Sequence, residues 1–357
     1  MRKLQIMNGS KLVQSGILLF FISSCYTPAK KLSFHEPQFK DTVEIKGQIL
    51  NNSFIMGYGD DIDFYNNVLI VNAYKGAEEE AIHFFHTDNG LHIKSILPKG
   101  RGPGEALAAR NLDVNHATGE VLFYDFMGHK LSHFNIDSVL KHDDHKNDIA
   151  SNPYPIYMYT VHQGKTGYIA TGGLRLPTKE IPRFSIIDND TISFNYCTFP
   201  EVSIPGVSNG IAISYNHCHT DISPDKSRIV CASGYGAILE IFDIHKDKIT
   251  LKSIKGFYKP IFDTDKNENI IYIPNKTFSA FNDLYVTDKY IYTVFKNIPE
   301  SRDQKNIAVF DWEGNCIRLY QCDYNLHKIC IDSKSNKVYA IGRNENDETL
   351  LVEFDLK

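Results

Sequence analysis

The sequence predicts an all-β fold, a six-bladed propeller whose last blade is closed by an N-terminal strand. Three observations carry this. An apolar residue three positions before a phenylalanine recurs six times. Each copy lies among short β-branched and aromatic runs broken by Gly, Asn, Asp and Pro, the composition of short strands and tight turns. The sixth unit ends one strand short at Lys357, and a strand-like segment, residues 42–49, stands alone near the start.

The repeated pairs are Ile82/Phe85, Leu131/Phe134, Ile181/Phe184, Leu239/Phe242, Ile307/Phe310 and Leu351/Phe354, with phenylalanines about 44 to 68 residues apart. Asp243, Asp311 and Asp355 follow three of them. Upstream of each lies a strand ending in a polar turn, then a strongly apolar strand. Examples are Leu112-Asp113-Val114-Asn115 before Val121–Tyr124, Asp221–Asp225 before Arg228–Val230, and Ile331-Asp332-Ser333 before Lys337–Ala340. Tyr285–Asp288 before Tyr290–Tyr292, and Ile62–Phe64 before Val68–Ile70, match more loosely; the copy near Tyr159–Ala170 is weakest. Each unit reads as four strands, and internal repetition at this period is the signature of a propeller. No amphipathic helix is expected. The phenylalanines are read as core, each filling a gap between neighbouring blades, where one such side chain contributes about 1.5–3 kcal/mol. Thr42–Ile49 is expected to complete the last blade and so remove an open sheet edge.

The N-terminus reads as an address. Arg2, Lys3 and Lys11 form a basic region, Leu12–Ile22 is a short apolar run, and Ile22-Ser23-Ser24-Cys25 resembles a bacterial lipobox. That run suits a secretory signal and is too short to span a bilayer. The expected organisation is a signal peptide over 1–24, a lipidated tether over 25–39 beginning at Cys25, and a propeller over 40–357. The expected location is the cell envelope, lipid-anchored to the membrane and facing the periplasm.

The chain has 357 residues, 42% hydrophobic, 12% aromatic and 23% charged, with net charge −5. Removing residues 1–24 leaves 35 basic against 43 acidic residues, a charge of −8. Nothing here attracts nucleic acid. Besides Cys25 there are six cysteines, none in a Cys-x-x-Cys spacing. They are expected to be buried free thiols, with Cys218 and Cys231 the pair to test for a disulfide.

Three stretches carry a resemblance: Lys99-Gly100-Arg101-Gly102-Pro103-Gly104-Glu105, then Ile222–Asp225 through Ile238–Asp243, then Val309–Asn315 followed by Val338–Ile341. With the lipobox they resemble the TolB-like six-bladed β-propeller lipoproteins of Gram-negative, gut-type bacteria. The resemblance implies fold and envelope location, and no catalytic residues. Ala106 departs from it, standing where an aromatic residue is expected.

Candidate site residues follow. Arg101 and Glu105 flank a Gly-Pro-Gly turn between the first two blades and are expected at the channel mouth, either as an internal ion pair or as a ligand contact. The turn lacks the Lys-Ser/Thr and helix of a phosphate loop. His217, His219 and Asp221 alternate on the inner strand of the fourth blade and so share one face toward the channel. Two imidazoles two apart suit a divalent metal only with a third ligand, and none is assignable; no metal or cofactor is assigned. Gly206-Val207-Ser208-Asn209-Gly210 spells a nucleophile elbow but lacks the strand-to-helix context, and His142-Asp143-Asp144-His145 reads as a solvated loop. The expected function is a monomeric binding module for an unknown peptide, protein or glycan of the envelope. The alternative is a periplasmic hydrolase or lyase working through the channel, metal-dependent in one form.

Overall fold

A computed structural model describes residues 2–5, 32–50, 59–76, 79–144, 146–153, 158–171, 182–188, 191–195, 197, 218–234, 236–246, 248–264, 270–272, 278–296, 304–346 and 348–356. Among the described residues six sheets of four or five strands follow one another along the chain, antiparallel except for one added strand, with a two-stranded sheet, Phe262–Thr264 and Ile270–Tyr272, between the fourth and fifth. Their inner strands, in order, are Asp61–Tyr65, Ala109–Asn115, Val161–Gln163, His219–Ile222, Phe281–Val286 and Asn325–Asp332. Contacts between successive inner strands place them around one axis. The second strands of most blades are apolar nearly throughout, as in Val68–Asn72 and Tyr290–Phe295. Neighbouring blades cover both faces of these strands, so no polar alternation survives.

The apolar core falls into six clusters, one at each blade-to-blade interface. All six repeated phenylalanines are buried. They are not distributed one per interface, as the sequence reading expected. Phe184 and Phe242 meet edge-on between blades three and four, ring centres 5.0 Å apart, while Tyr124 and Leu131 serve between blades two and three. Spacing alone does not tell which face of a strand a ring occupies when strand starts differ by one residue.

The N-terminal segment is a belt rather than a single closing strand. Phe34 bridges Gly256 on the outer strand of blade four. Phe39 packs on Phe295 and Phe310 of blade five. Asp41–Ile45 then adds parallel to Cys316–Cys322, the outer strand of blade five. Only Gly47–Ile49 closes the ring, antiparallel to Thr349–Asp355 in blade six. The residues expected as one strand over 42–49 thus serve two blades, and packing begins at Phe34, within the segment read as tether. Arg2–Gln5 pairs with Thr191–Asn195 at the outer edge of blade three.

One short helix, Ile136–Lys141, follows the third strand of blade two, where the sequence reading expected none. Asn135 caps it by accepting from the Ser138 amide at 3.2 Å, a local signal of the usual Asn-cap kind. His142, Asp143 and Asp144 beyond it are exposed, as expected of a solvated loop. The described non-lipobox cysteines are all free thiols. Cys218 and Cys231 are neighbours, their thiols hydrogen-bonded, and burial pushes the Cys231 thiol well above its ordinary pKa.

Candidate functional site

The inner strands are stitched to one another by short polar side chains. Asp61 Oδ2 in blade one accepts from the Leu112 amide in blade two at 2.9 Å. From blade two, Asn111 Oδ1 accepts from Val161 at 2.6 Å and Asp113 accepts from the Gln163 amide, both in blade three. Between blades three and four the link is Thr160 to Thr220, at 2.6 Å between hydroxyls, with His162 Nε2 3.0 Å from the same Thr220 oxygen. Asp221 Oδ2 in blade four accepts from Val286 in blade five at 2.9 Å. Asp283 Oδ2 accepts from Ile329 in blade six at 2.8 Å, and its Oδ1 holds Lys328 Nζ at 2.8 Å. A buried amide left without an acceptor costs about 1–3 kcal/mol, so these carboxylates answer a structural need of the ring.

They also surround a cavity of about 820 Å³, lined by residues from both ends of the inner strands. Burial pushes the Asp61 carboxyl up to about 7 despite the nearby Lys328 ammonium. Burial likewise holds Asp221 well above the usual carboxylate range. It drives His162 down to about 4 and His219 down to about 3, so both imidazoles are neutral near pH 7.

At the end of the cavity formed by the turns after the inner strands, three side chains from different blades converge. His116 Nε2 lies 3.3 Å from Asp63 Oδ1 and 3.2 Å from the Tyr285 hydroxyl. The Tyr285 hydroxyl also donates to Asp63 at 3.4 Å, and Phe64 packs on the His116 ring at 4.8 Å. Burial lowers the His116 pKa, but the Asp63 carboxylate beside it outweighs that and leaves it above its ordinary value. A phenol, an imidazole and a carboxylate in mutual reach can hold and pass a proton, or bind a polar ligand. At the opposite end, Arg110 lines the rim beside Tyr74, Lys75 and Tyr159.

The sequence candidates divide. His219 and Asp221 line the cavity; Asp221 is engaged by the Ile222 and Val286 amides. His217 and the Gly206–Gly210 motif lie outside the described residues. Arg101 and Glu105 are not among the cavity-lining residues. Glu105 folds back to accept from the Gly102 amide at 2.8 Å, and no ion pair joins it to Arg101 among the described residues. A Cβ at Gly100 would sit 2.0 Å from the Glu105 carboxylate, which accounts for the glycines around it without a ligand. Among the described residues no cluster of three His, Cys, Asp or Glu side chains suits a metal ion.

Sequence reasoning missed the latch function of the inner-strand aspartates, although the signal was present: Asp61-Ile62, Asp113-Val114, Asp221-Ile222 and Asp283-Leu284 each stand just before a turn and an apolar strand. His116, Tyr285 and Arg110 had no such local signature, because their neighbours in the cavity are far away in sequence.

No curated protein matches the chain by sequence. Among solved structures it is similar to a Bacteroides fragilis protein described as exported, at 14% identity and a TM-score of 0.60, over 92% of this chain and 100% of that one. It is also similar to a member of the DUF4221 family from Bacteroides vulgatus, at 12% identity and a TM-score of 0.53, over 88% and 96%. A gluconolactonase from Xanthomonas campestris follows at 8% identity and a TM-score of 0.50, over 88% and 90%. At these identities the likeness is one of fold alone. The family model for TolB-like six-blade propellers matches residues 38–334. With six sheets around one axis and a match over most of its length, the chain belongs to the TolB-like six-bladed propeller family.

Proposed function

We propose that the protein is an envelope-anchored lipoprotein, held to the membrane through Cys25 and facing the periplasm, whose propeller is a binding module for a peptide, protein or glycan. One observation carries the binding half of this reading. Asp61, Asp113, Asp221 and Asp283 of the channel are committed to inter-blade hydrogen bonds, so much of the cavity wall is rigid and polar. Rigid, pre-formed, mostly fixed polar walls are what a binding site needs. The exported relative in Bacteroides fragilis and the lipobox support the location.

The tests are direct. Metabolic labelling with palmitate should mark the wild type and not Cys25→Ala, which should leave the membrane fraction. An immobilised propeller should recover a reproducible ligand from envelope extracts; repeated recovery of nothing above a blank resin overturns the binding reading.

The alternative, a periplasmic hydrolase or lyase, is favoured by the Tyr285–His116–Asp63 cluster alone. Turnover of an envelope substrate that disappears in His116→Ala, with binding retained, would establish it. Stoichiometric metal in purified protein, lost in His217→Ala, would establish its metal-dependent form.

A further inference from the structure

Arg110 begins the inner strand of blade two and lines the cavity rim. Its Nε donates to the Tyr74 hydroxyl at 3.1 Å. Its guanidinium lies 4.3 Å from the Phe126 ring centre and 5.9 Å from that of Tyr74. Among the described residues it enters no ion pair, whereas its cavity neighbours Lys75 and Lys328 each hold a carboxylate, Asp60 and Asp283. A half-buried guanidinium fixed in plane by one Nε hydrogen bond and one stacked ring keeps its two terminal nitrogens as a rigid fork. That fork matches a carboxylate in geometry and charge.

The surroundings narrow the ligand further. Beside Arg110 stand the phenols of Tyr74 and Tyr159, and the same cavity wall carries the carboxylates of Asp60 and Asp61. Aromatic faces suit the C–H face of a sugar ring, and a carboxylate oxygen that already holds one amide keeps a second lone pair for a sugar hydroxyl. Side chains of a peptide would need apolar recesses, and this part of the wall offers few.

From this juxtaposition we infer that the cavity binds an acidic saccharide of the uronic-acid type, its carboxylate forked on Arg110 and its ring against Tyr74 and Tyr159. This deepens the binding reading above and rests on it.

The experiment is calorimetric titration of the folded mature chain with trigalacturonate, and with its methyl ester as the same sugar without charge. Trigalacturonate should bind saturably and its ester about ten- to a hundredfold more weakly, as loss of a charged hydrogen-bonded pair implies. Arg110→Gln should bring the acid down to the affinity of the ester while leaving the melting temperature unchanged. Arg110→Lys should recover only part of the loss, since a point charge lacks the fork. Equal affinities for acid and ester, unchanged affinity in Arg110→Gln, or no saturable binding of trigalacturonate overturns the inference. So does binding of trialanine but not its amide with trigalacturonate silent, which would assign the fork to a peptide terminus. An envelope ligand captured equally by wild type and Arg110→Gln leaves the broader binding reading intact while overturning this one.

Discussion

Arg183 and Glu240 face each other across the interface of blades three and four with almost no solvent contact, at 2% and 3% side-chain exposure. Arg183 Nη1 donates to Glu240 Oε1 at 3.0 Å and Nη2 pairs with Oε2, and the guanidinium lies 4.8 Å from the Phe242 ring centre. Glu240→Gln leaves the buried Arg183 guanidinium without its carboxylate, and breaking such a pair from one side costs about 3–5 kcal/mol. Urea denaturation should show that loss. The double replacement Arg183→Met with Glu240→Leu should cost less than either single change, because an apolar pair leaves no charge uncompensated.

The carboxylate latches make a second prediction. Asp283→Ala removes the acceptor of the Ile329 amide and the partner of Lys328. The stranded amide alone costs about 1–3 kcal/mol. Hydrogen exchange at Ile329 should accelerate in the variant, and Asp283→Asn, which keeps an oxygen there, should lose less. Unchanged protection at Ile329 would rule out the latch.

Stability should fall in mild acid. His162 and His219 are pushed down to about 4 and about 3 in the fold, against about 6.5 when unfolded. Below pH 6.5 the unfolded chain therefore binds protons that the native state refuses, and stability drops as pH falls toward 4. Asp61, pushed up to about 7, acts in the opposite sense: its penalty grows as pH rises from about 4 to 7. Each of these imidazoles is worth roughly 3 kcal/mol by pH 4; His327, pushed down to about 4, adds to them, and Asp221, held well above the usual carboxylate range, adds to Asp61. Denaturation midpoints between pH 4 and 7 should fall with acid, His162→Gln should flatten that slope, and Asp61→Asn should steepen it.

Closure of the ring has its own weak point. A Cβ at Gly47 would lie 2.5 Å from Val352 Cγ1 and 2.8 Å from the Phe354 ring. Gly47→Val should push the closing strand off blade six, costing about 1–3 kcal/mol as overpacking does. Limited proteolysis should then cut between residues 41 and 50, where the wild type resists.

How much of this was legible follows from where each signal resides. The blade count and the ring closure were written in local patterns, the apolar–x–x–Phe repeat and the unpartnered segment 42–49. The switch of that segment from blade five to blade six was not, because alternation in Thr42–Ile49 does not name a partner strand. His219 and Asp221 were correctly placed on an inner strand by their alternation. Arg101 and Glu105 stand out in the sequence because they are charged among glycines, yet Gly100 and Gly102 make room for the Glu105 carboxylate and Gly104 sits at positive φ against Lys146. Arg110 emerges only once Tyr74, 36 residues away, is brought beside it, and the Tyr285–His116–Asp63 group only once His116 and Tyr285, 169 residues apart, meet.

Gly47–Ile49 and Thr349–Asp355 pair although about 300 residues separate them in the chain. Their pairing means that the circle stays open until the second of them has been made, with a strand flank bare on each side of the gap. A chain closed in this way cannot finish piecemeal the way a local hairpin can. It completes its shape in one late step, when these two strands meet, and until then its bare strand edges are open to aggregation and to chaperones.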